Sequence, residues 1–285
     1  MKNLLGLYEK ALPQSMSWPE KFQTAKELGF DFIEISVDES DERLARLEWS
    51  FEEREAIRQA MRESGVSLRS MCFSGHRRYP LGSRDAKTRR LALELMEKAI
   101  RLAADLGIRV IQLAGYDVYY EPSGQDTKEN FIAGLKACAA MAAREQVMLA
   151  IEIMDTPFLN SITKYLEYDR LIDSPWLAVY PDIGNLNAWG NDVKAELQKG
   201  RNRIVAVHVK ETKNVTDDYG GQFRDVLFGQ GDMDFAAIFR DLKELAYEGP
   251  FVLEMWGDKI AEPLPEIRRS KEFIETLLSQ AGFEA

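Results

Sequence analysis

The sequence predicts an α/β protein, a single (β/α)₈ TIM barrel that spans residues 1–285. Two patterns support this fold. Short apolar segments rich in β-branched residues alternate with longer segments of helical periodicity, as expected of repeated βα units around a parallel sheet. Eight such apolar segments occur, and eight is the strand number of the barrel. The predicted strands are Leu4–Tyr8, Phe32–Val37, Ser67–Phe73, Val110–Ala114, Met148–Ile153, Leu177–Tyr180, Ile204–Val209 and Phe251–Met255.

Capping residues mark the boundaries of several intervening helices. A Ser or Asp can cap a helix N-terminus with its side-chain oxygen, and a Gly after the last turn ends a helix. These signals and the apolar periodicity predict helices from Ser17 to Leu28, from Asp85 to Leu106 and from Phe235 to Tyr247.

The chain shows no Ser- or Pro-rich linker and no break in composition, so we expect one domain. One connection is unusually long. Residues from Lys210 to Asp234 are polar and contain several glycines, and in a barrel they would overhang the C-terminal ends of the strands. This segment is a candidate lid.

Composition excludes several classes of protein. The net charge of −10, without basic runs, disfavours a nucleic-acid binder, because phosphate backbones are held by clustered Lys and Arg. Only two cysteines occur, Cys72 and Cys138, so a disulfide framework is not expected and a reducing cytoplasm fits best. Neither a signal peptide nor a long apolar segment is apparent, which predicts no membrane association.

Four ionisable residues interrupt the last four predicted strands near their C-terminal ends. They are Glu152, Asp182, His208 and Glu254. Strands of a parallel barrel are covered on both faces and should be nearly continuously apolar, so each interruption requires an explanation. Because barrel active sites form at the C-terminal ends of the strands, we expect these side chains to converge.

Convergence of these four residues predicts a metal site. Taken singly, each could be a buried polar residue that is satisfied by the backbone or by an ion pair. Three carboxylates buried together would force protonation of at least one, and a divalent cation removes that conflict. Carboxylate oxygens and an imidazole nitrogen suit one divalent ion, Mn²⁺, Zn²⁺, Co²⁺ or Mg²⁺, and the ligand set does not separate these metals.

Several segments resemble the L-ribulose-5-phosphate 3-epimerase family, also called the L-xylulose-5-phosphate 3-epimerase family. The resemblance covers most of the chain and is carried by residues Ala150–Asp155, Tyr180–Leu186, Val205–Lys210, Leu253–Trp256, Ile111–Tyr120, Cys72–Arg78 and Phe228–Gly231. It implies a xylose-isomerase-like barrel and a homodimer. The implied activity is the interconversion of L-xylulose 5-phosphate and L-ribulose 5-phosphate, both ketopentose phosphates, in bacterial catabolism of L-ascorbate or related pentoses. Related ketose 3-epimerases often carry His where this chain has Asn185, and the difference fits a phosphate-ester substrate.

Inversion at C3 of a 2-ketose requires two acid/base groups on opposite faces of the carbon. Glu152 and Glu254 are the natural pair, and the metal would stabilise the enediolate as a Lewis acid. The resemblance implies that one glutamate removes the C3 proton and the other returns it. Asp182 and His208 would serve only as metal ligands.

The phosphate end lacks a glycine-rich loop of the Walker type, so local donors must hold it. Arg77 and Arg78 follow the third strand and either contact an anion or merely solvate a surface. Tyr119 is a candidate for the pocket wall. The candidate substrate ligands are Lys210, Arg224, His76, Asn185, Ser74 and Trp256.

Four other functions are compatible with parts of the pattern. An aldose–ketose isomerase of the hexulose-6-phosphate or hydroxypyruvate type would use the same metal barrel, and a non-catalytic sugar-phosphate sensor would keep the fold without turnover. A Schiff-base aldolase would use Lys210. A multi-zinc DNA-repair endonuclease is disfavoured by the acidic charge and by the presence of only two histidines.

Overall fold

The computed structural model describes residues 3–284, and ten strands lie within them. They are β1 Leu5–Tyr8, β2 Phe32–Val37, β3 Ser67–Phe73, β4 Val110–Ala114, β5 Met148–Glu152, β6 Leu177–Tyr180, β7 Val207–Val209, β8 Lys213–Thr216, β9 Tyr219–Gln222 and β10 Phe251–Leu253. Eight of these strands are parallel neighbours in the order β6-β5-β4-β3-β2-β1-β10-β7, while β8 and β9 form a separate antiparallel hairpin. All eight predicted barrel strands are therefore confirmed.

The sheet closes between its two end strands, β6 and β7. Val179 pairs with Ile204 and Asp182 pairs with His208 in two isolated parallel bridges. The amide of His208 also donates to the carbonyl oxygen of Pro181 at 2.9 Å. The predicted (β/α)₈ fold is confirmed, and the closure places two candidate metal ligands side by side.

Ten α-helices lie within the described residues, most of them between the barrel strands. They are α1 Trp18–Glu27, α2 Asp41–Leu44, α3 Phe51–Ser64, α4 Ala86–Leu106, α5 Gln125–Glu145, α6 Ile162–Ile172, α7 Ile183–Ala188, α8 Val193–Gly200, α9 Phe235–Glu244 and α10 Pro263–Gln280. Short 3₁₀ segments occupy Glu9–Ala11, Ala45–Glu48 and Gly75–Arg77. None of the helices in this part of the chain is both long and apolar enough to cross a membrane.

The predicted capping residues are found at the helix ends. Ser17 forms a capping box with Glu20 before α1, and Asp85 accepts hydrogen bonds from two backbone amides of α4. Gly107 ends α4 with φ of 75°, a conformation that favours glycine. The predicted extension of α9 to Tyr247 is wrong, because that helix ends at Glu244.

The connection between Lys210 and Asp234 carries the β8–β9 hairpin, which the sequence did not predict. None of the residues in these two strands is buried; they are half-exposed or exposed. Their sequences therefore lack the alternation of apolar and polar residues by which a strand is recognised. At its base the buried carboxylate of Glu211 accepts hydrogen bonds from the amides of Gly229, at 2.8 Å, and Met233, at 3.3 Å. The connection is therefore anchored at its base and exposed at its tip.

The inside of the barrel changes from apolar to polar along the strands. Phe32 is buried near the N-terminal ends, and its ring lies so close to Gly6 that a Cβ atom there would approach it to 2.3 Å. Further along the same strand and face, Glu34 and Ser36 are fully buried. Polar side chains thus lie above an apolar floor, toward the C-terminal ends of the strands.

Candidate metal centre and active site

Four side chains from the last half of the barrel converge at the C-terminal ends of the strands. Glu152 ends β5, Asp182 follows β6, His208 lies in β7 and Glu254 follows β10. One ligand atom from each lies within 4.8 Å of the others. All four residues are at most 6% exposed. The structure therefore brings together the four residues that interrupt the strands.

Local backbone structure fixes Asp182. It is the N-cap of α7, and its Oδ1 atom accepts the amide of Asn185 at 2.9 Å. Its other oxygen, Oδ2, lies 2.5 Å from Nζ of Lys210. The aspartate is thus oriented by a helix terminus on one side and by a buried cation on the other.

The electrostatics of the cluster reflect burial and crowding. Burial, together with the charge of Glu254, raises the pKa of Glu152, and burial raises the pKa of Asp182 to about 8 although Lys210 opposes it. Burial acts in the same direction on Glu254, but Lys210 and His208 outweigh it and hold the pKa of that carboxyl low. Close carboxylates in a buried site thus compete for positive charge.

The imidazole of His208 lies between two sets of carboxylates. Its Nδ1 atom is 3.3 Å from Oε1 of Glu152 and 3.2 Å from Oε2 of Glu254. Its Nε2 atom is 2.6 Å from Oε1 of Glu34. Burial lowers the pKa of His208, but the negative charges of Glu34 and Glu254 outweigh burial and raise it well above the ordinary value.

The residues present fit a divalent metal. Among the described residues, Oε2 of Glu254 and Oδ2 of Asp182 are buried without a well-aligned hydrogen bond, although the Lys210 ammonium approaches both. Buried polar atoms are normally satisfied, and a cation shared by these oxygens would satisfy both. Three carboxylates and one imidazole, without sulfur, form a donor set suited to Mn²⁺, Mg²⁺, Co²⁺ or Zn²⁺.

Glu34 is a residue that the sequence analysis missed. It is fully buried in β2 and contacts the cluster through His208. The same signal that identified the other four residues is present here, since a charged residue interrupts an apolar strand. Because Glu34 lies in the first half of the chain, away from the four successive strands, the pattern did not include it.

A cavity opens above the cluster and contains most of the candidate substrate ligands. Ser74, Asn185, Lys210, Arg224 and Trp256 line it together with Glu152 and Glu254. Lining residues that were not among the candidates include Tyr8, Lys10 and Asp155. Asn185 donates through Nδ2 to the carbonyl of Ile153 at 2.8 Å, and its Oδ1 has no hydrogen-bond partner among the described residues.

His76 is not among the residues that line this cavity, contrary to its selection as a substrate ligand. Its Nε2 atom lies 3.2 Å from the carbonyl oxygen of Ala92, and its ring packs edge-on against Phe73. Burial lowers the pKa of His76 to about 4, so the ring is neutral at pH 7. The side chain is part of the packing between the β3–α4 connection and α4.

Two guanidinium groups face the cavity. Arg77 donates to the hydroxyl of Tyr116 at 3.3 Å and lies 4.7 Å from the centre of the Tyr119 ring. Arg224 lies 5.3 Å from the Trp256 ring. Burial and the positive charge of Arg77 lower the pKa of Arg224, but Asp155, which is 4.0 Å away, and Glu254 act in the opposite direction and the net pKa is raised. Two mutually repelling cations in one cavity favour an anionic ligand between them.

A second cavity, of about 280 Å³, adjoins the first. It shares Lys210, Glu254 and Trp256 with the first cavity and is otherwise mostly apolar. Lys259 and Asp225 form an ion pair of 2.5 Å on its wall, which joins the long connection to the segment before α10. The two cavities together extend from the cluster to this pair.

Comparison with known proteins agrees with this fold. Residues 22–277 match the family described as "Xylose isomerase-like TIM barrel". Two solved 3-epimerase structures superpose on the chain. D-psicose 3-epimerase of Clostridium cellulolyticum superposes with a TM-score of 0.80 and 16% identity, covering 98% of this chain and 99% of that one. D-allulose 3-epimerase of Methylomonas sp. superposes with a TM-score of 0.78 and 20% identity, covering 98% of this chain and 99% of that one. At this identity they show the fold alone.

Closer relatives define the family. L-ribulose-5-phosphate 3-epimerase UlaE of Escherichia coli is 52% identical over 278 residues, covering 98% of this chain and 96% of the relative. SgbU of Haemophilus influenzae, provisionally named as the same epimerase, is 50% identical over 281 residues, covering 99% and 98%. The chain belongs to the L-ribulose-5-phosphate 3-epimerase family, a family of isomerases within the xylose-isomerase-like barrels.

Proposed function

We propose that this protein is a metal-dependent 3-epimerase that interconverts L-xylulose 5-phosphate and L-ribulose 5-phosphate in the catabolism of L-ascorbate or related pentoses. One observation carries the proposal. Glu152 and Glu254 belong to the metal-type cluster, which consists of Glu152, Asp182, His208 and Glu254, and both also line a cavity that contains two arginines. A ketose phosphate needs these three elements, a cation, two acid/base groups and an anion site.

The metal would be held by Glu152, Asp182, His208 and Glu254. When bound, a divalent cation supplies Lewis-acid polarisation of the substrate carbonyl and hydroxyl oxygens. Asp182 and His208 are 0% exposed, so their part is to bind the metal and not to meet the substrate.

Proton transfer falls to the two glutamates. Glu152 belongs to β5 and Glu254 follows β10, and these strands are separated by β6 and β7 around the closed barrel. The two carboxyl groups can therefore approach C3 from different sides. One carboxylate accepts the C3 proton while the C–H electron pair moves toward the C2 carbonyl oxygen, giving an enediolate. The other carboxyl group donates a proton to the opposite face of C3.

The sugar and phosphate contacts follow from the cavity lining. Arg77 and Arg224 would bind the phosphate with charge-assisted hydrogen bonds, and the Ser74 hydroxyl could add one more. The free Oδ1 of Asn185 would accept a sugar hydroxyl. Trp256 would form the wall beneath Arg224. Lys210 would orient Asp182 and Glu254 through its ammonium group.

The connection of residues 210–234 would act as a lid. It carries Arg224, which reaches the cavity, on a segment whose hairpin tip is exposed. Binding of a phosphate to Arg224 would hold the connection over the substrate. We also infer a homodimer from the family resemblance, which sedimentation of the purified protein would test. The two free, buried cysteines, Cys72 and Cys138, fit a cytoplasmic location.

The test is solvent exchange at C3. Protein stripped of metal and resupplied with Mn²⁺ is incubated with L-ribulose 5-phosphate in D₂O, and the C3 proton and the product are followed by NMR. We expect metal-dependent deuterium at C3 and formation of L-xylulose 5-phosphate. Glu152→Gln should strongly reduce formation of L-xylulose 5-phosphate, whereas Glu196→Gln, which alters an equally buried carboxylate outside the cavity, should not.

Other outcomes would identify the alternatives. Exchange at C1 with an aldose product would establish an aldose–ketose isomerase instead. Binding of the sugar phosphate without exchange would indicate a sensor. Trapping of the substrate on Lys210 by borohydride would indicate a Schiff-base aldolase. We do not expect this outcome. Burial lowers the pKa of Lys210, but Asp182, Glu254 and Glu152 outweigh burial and raise it.

A further inference from the structure

A buried carboxylate outside the metal-type cluster contacts the histidine of that cluster. We propose that Glu34 is a positioning residue that holds the Nε2–H group of His208 and thereby presents Nδ1 of the same ring to the metal. The inference rests on the proposed metal site. It assigns to β2, in the first half of the chain, a part in metal binding.

The distances separate the two ring nitrogens by role. Nε2 of His208 lies 2.6 Å from Oε1 of Glu34, and both side chains are 0% exposed. Nδ1 lies 3.3 Å from Glu152 and 3.2 Å from Glu254, so this nitrogen faces the other candidate ligands. Only Nδ1 can join them around one ion while Nε2 remains on Glu34.

The second oxygen of Glu34 is held as firmly as the first. Its Oε2 accepts hydrogen bonds from the hydroxyls of Ser70, at 2.6 Å, and Tyr180, at 2.9 Å. These partners come from β3 and β6, so the carboxylate is held from two further strands. The Tyr180 ring also packs edge-on against the His208 ring, with centroids 4.7 Å apart. Orientation of the imidazole is therefore determined by both a hydrogen bond and a ring contact.

The chemistry of imidazole makes this arrangement directional. A neutral imidazole has one N–H donor and one nitrogen lone pair. A carboxylate that already accepts two hydroxyl donors can only accept from Nε2, so the ring proton stays on Nε2 and the lone pair is at Nδ1. A carboxylate on the distal nitrogen of a metal-binding His also makes the ligating nitrogen more basic.

The first test compares Mn²⁺ binding by the wild type and by Glu34→Gln. Gln keeps the size and a hydrogen-bond acceptor but removes the charge. Free Mn²⁺ is measured by its EPR signal during titration of metal-stripped protein. We expect affinity to fall by about 10–100-fold, the usual effect of losing such a partner. Ser70→Ala removes one hydrogen-bond donor from Glu34, and Ser70 does not contact His208. This variant should therefore lower the Mn²⁺ affinity less than Glu34→Gln does.

A second measurement needs no variant. The chain has only two histidines, so the imidazole ¹⁵N signals of the Zn²⁺-loaded wild type consist of His208 and the buried reference His76. We expect the proton of His208 on Nε2 and the zinc-induced shift at Nδ1. A zinc-induced shift at Nε2, or Mn²⁺ affinity of Glu34→Gln equal to that of the wild type, would overturn the role of Glu34 but leave the metal site in place. A wild type that binds neither ion would overturn the metal site as well.

Discussion

Lys210 and Asp182 form a buried ion pair, with Nζ of the lysine 2.5 Å from Oδ2 of the aspartate. The same Nζ atom is 3.5 Å from Oε2 of Glu254. A cationic side chain thus lies against two of the three clustered carboxylates. In the metal-free protein this ammonium group supplies part of the positive charge that the carboxylates require.

We therefore expect Lys210→Met to destabilise the metal-free protein more than the metal-loaded protein. Removal of one member of a buried ion pair costs about 3 kcal/mol, because the other charge remains buried. A bound divalent cation would offset part of that loss. Urea unfolding with and without Mn²⁺ measures both free energies.

The matched control is Lys98→Met, which removes an exposed ion pair with Glu48. Exposed pairs contribute roughly 0–1 kcal/mol, so this variant should be nearly as stable as the wild type. If Lys210→Met lowered the free energy of unfolding equally with and without metal, the Lys210 ammonium would not be compensating the charge of the clustered carboxylates.

Single substitutions of the two glutamates should separate the two proton transfers. Glu152→Gln and Glu254→Gln each remove one acid/base group and should reduce epimerisation by about 10²–10⁴-fold. If each glutamate serves one face of C3, each variant should still exchange the C3 proton of one epimer with D₂O, and the two variants should prefer opposite epimers.

This complementary pattern is measured by NMR, with metal content determined for each variant, because both residues are also candidate ligands. Loss of exchange from both epimers in a variant that retains full metal would contradict the two-sided arrangement.

Arg224→Met should weaken binding of phosphorylated substrates specifically. A hydrogen bond to a charged group is worth about 1.5–3 kcal/mol, which corresponds to an increase in KM of about 10–100-fold for the ketose phosphate. Turnover of unphosphorylated L-ribulose, measured in parallel, should change little. Arg78→Met is the matched control, since that arginine is exposed and pairs with Asp41. An equal effect on both substrates would place the phosphate elsewhere.

Most of the fold and the metal-type cluster could be predicted from sequence, because both depend on local pattern. An apolar strand interrupted by one charged residue identified Glu152 and His208, and the barrel topology implied that such residues meet. Hydrophobic periodicity also located the strands within a few residues.

Other features depend on side-chain direction, which sequence does not show. His76 follows β3 as Ser74 does, but its ring points into the packing against α4 while Ser74 lines the cavity. Lys10 and Asp155 reach the cavity from connections after β1 and β5, and no periodic pattern marks them. The β8–β9 hairpin was missed because neither of its faces is buried.

Glu9 should contribute a pH-dependent part of the stability. It is 1% exposed and directly follows β1, and its carboxylate binds Arg46 through two hydrogen bonds of 2.6 and 2.8 Å. Lys21 at 2.8 Å and Arg43 at 3.1 Å complete the cluster. Burial opposes ionisation, but Arg46 and the other cations outweigh it and lower the pKa of Glu9 from 4.5 to about 2.

A lowered pKa in the folded state means that folding favours the ionised carboxylate. The contribution is therefore complete above pH 4.5 and is lost as the pH falls toward 2. The shift corresponds to about 3 kcal/mol. Glu9→Gln should thus reduce the free energy of unfolding by roughly that amount at pH 7, and the difference from the wild type should shrink at pH 3.

Urea unfolding of both proteins between pH 3 and pH 7 measures this difference. Glu97→Gln, which removes an exposed pair with Arg101 on α4, should show little difference at either pH. If the Glu9→Gln loss were the same at pH 3 as at pH 7, its origin would lie in packing and hydrogen-bond geometry, since the titration of all groups that the two proteins share cancels in the difference between them. A loss that shrinks with acidity would assign the stabilisation to the buried charge and its three cations.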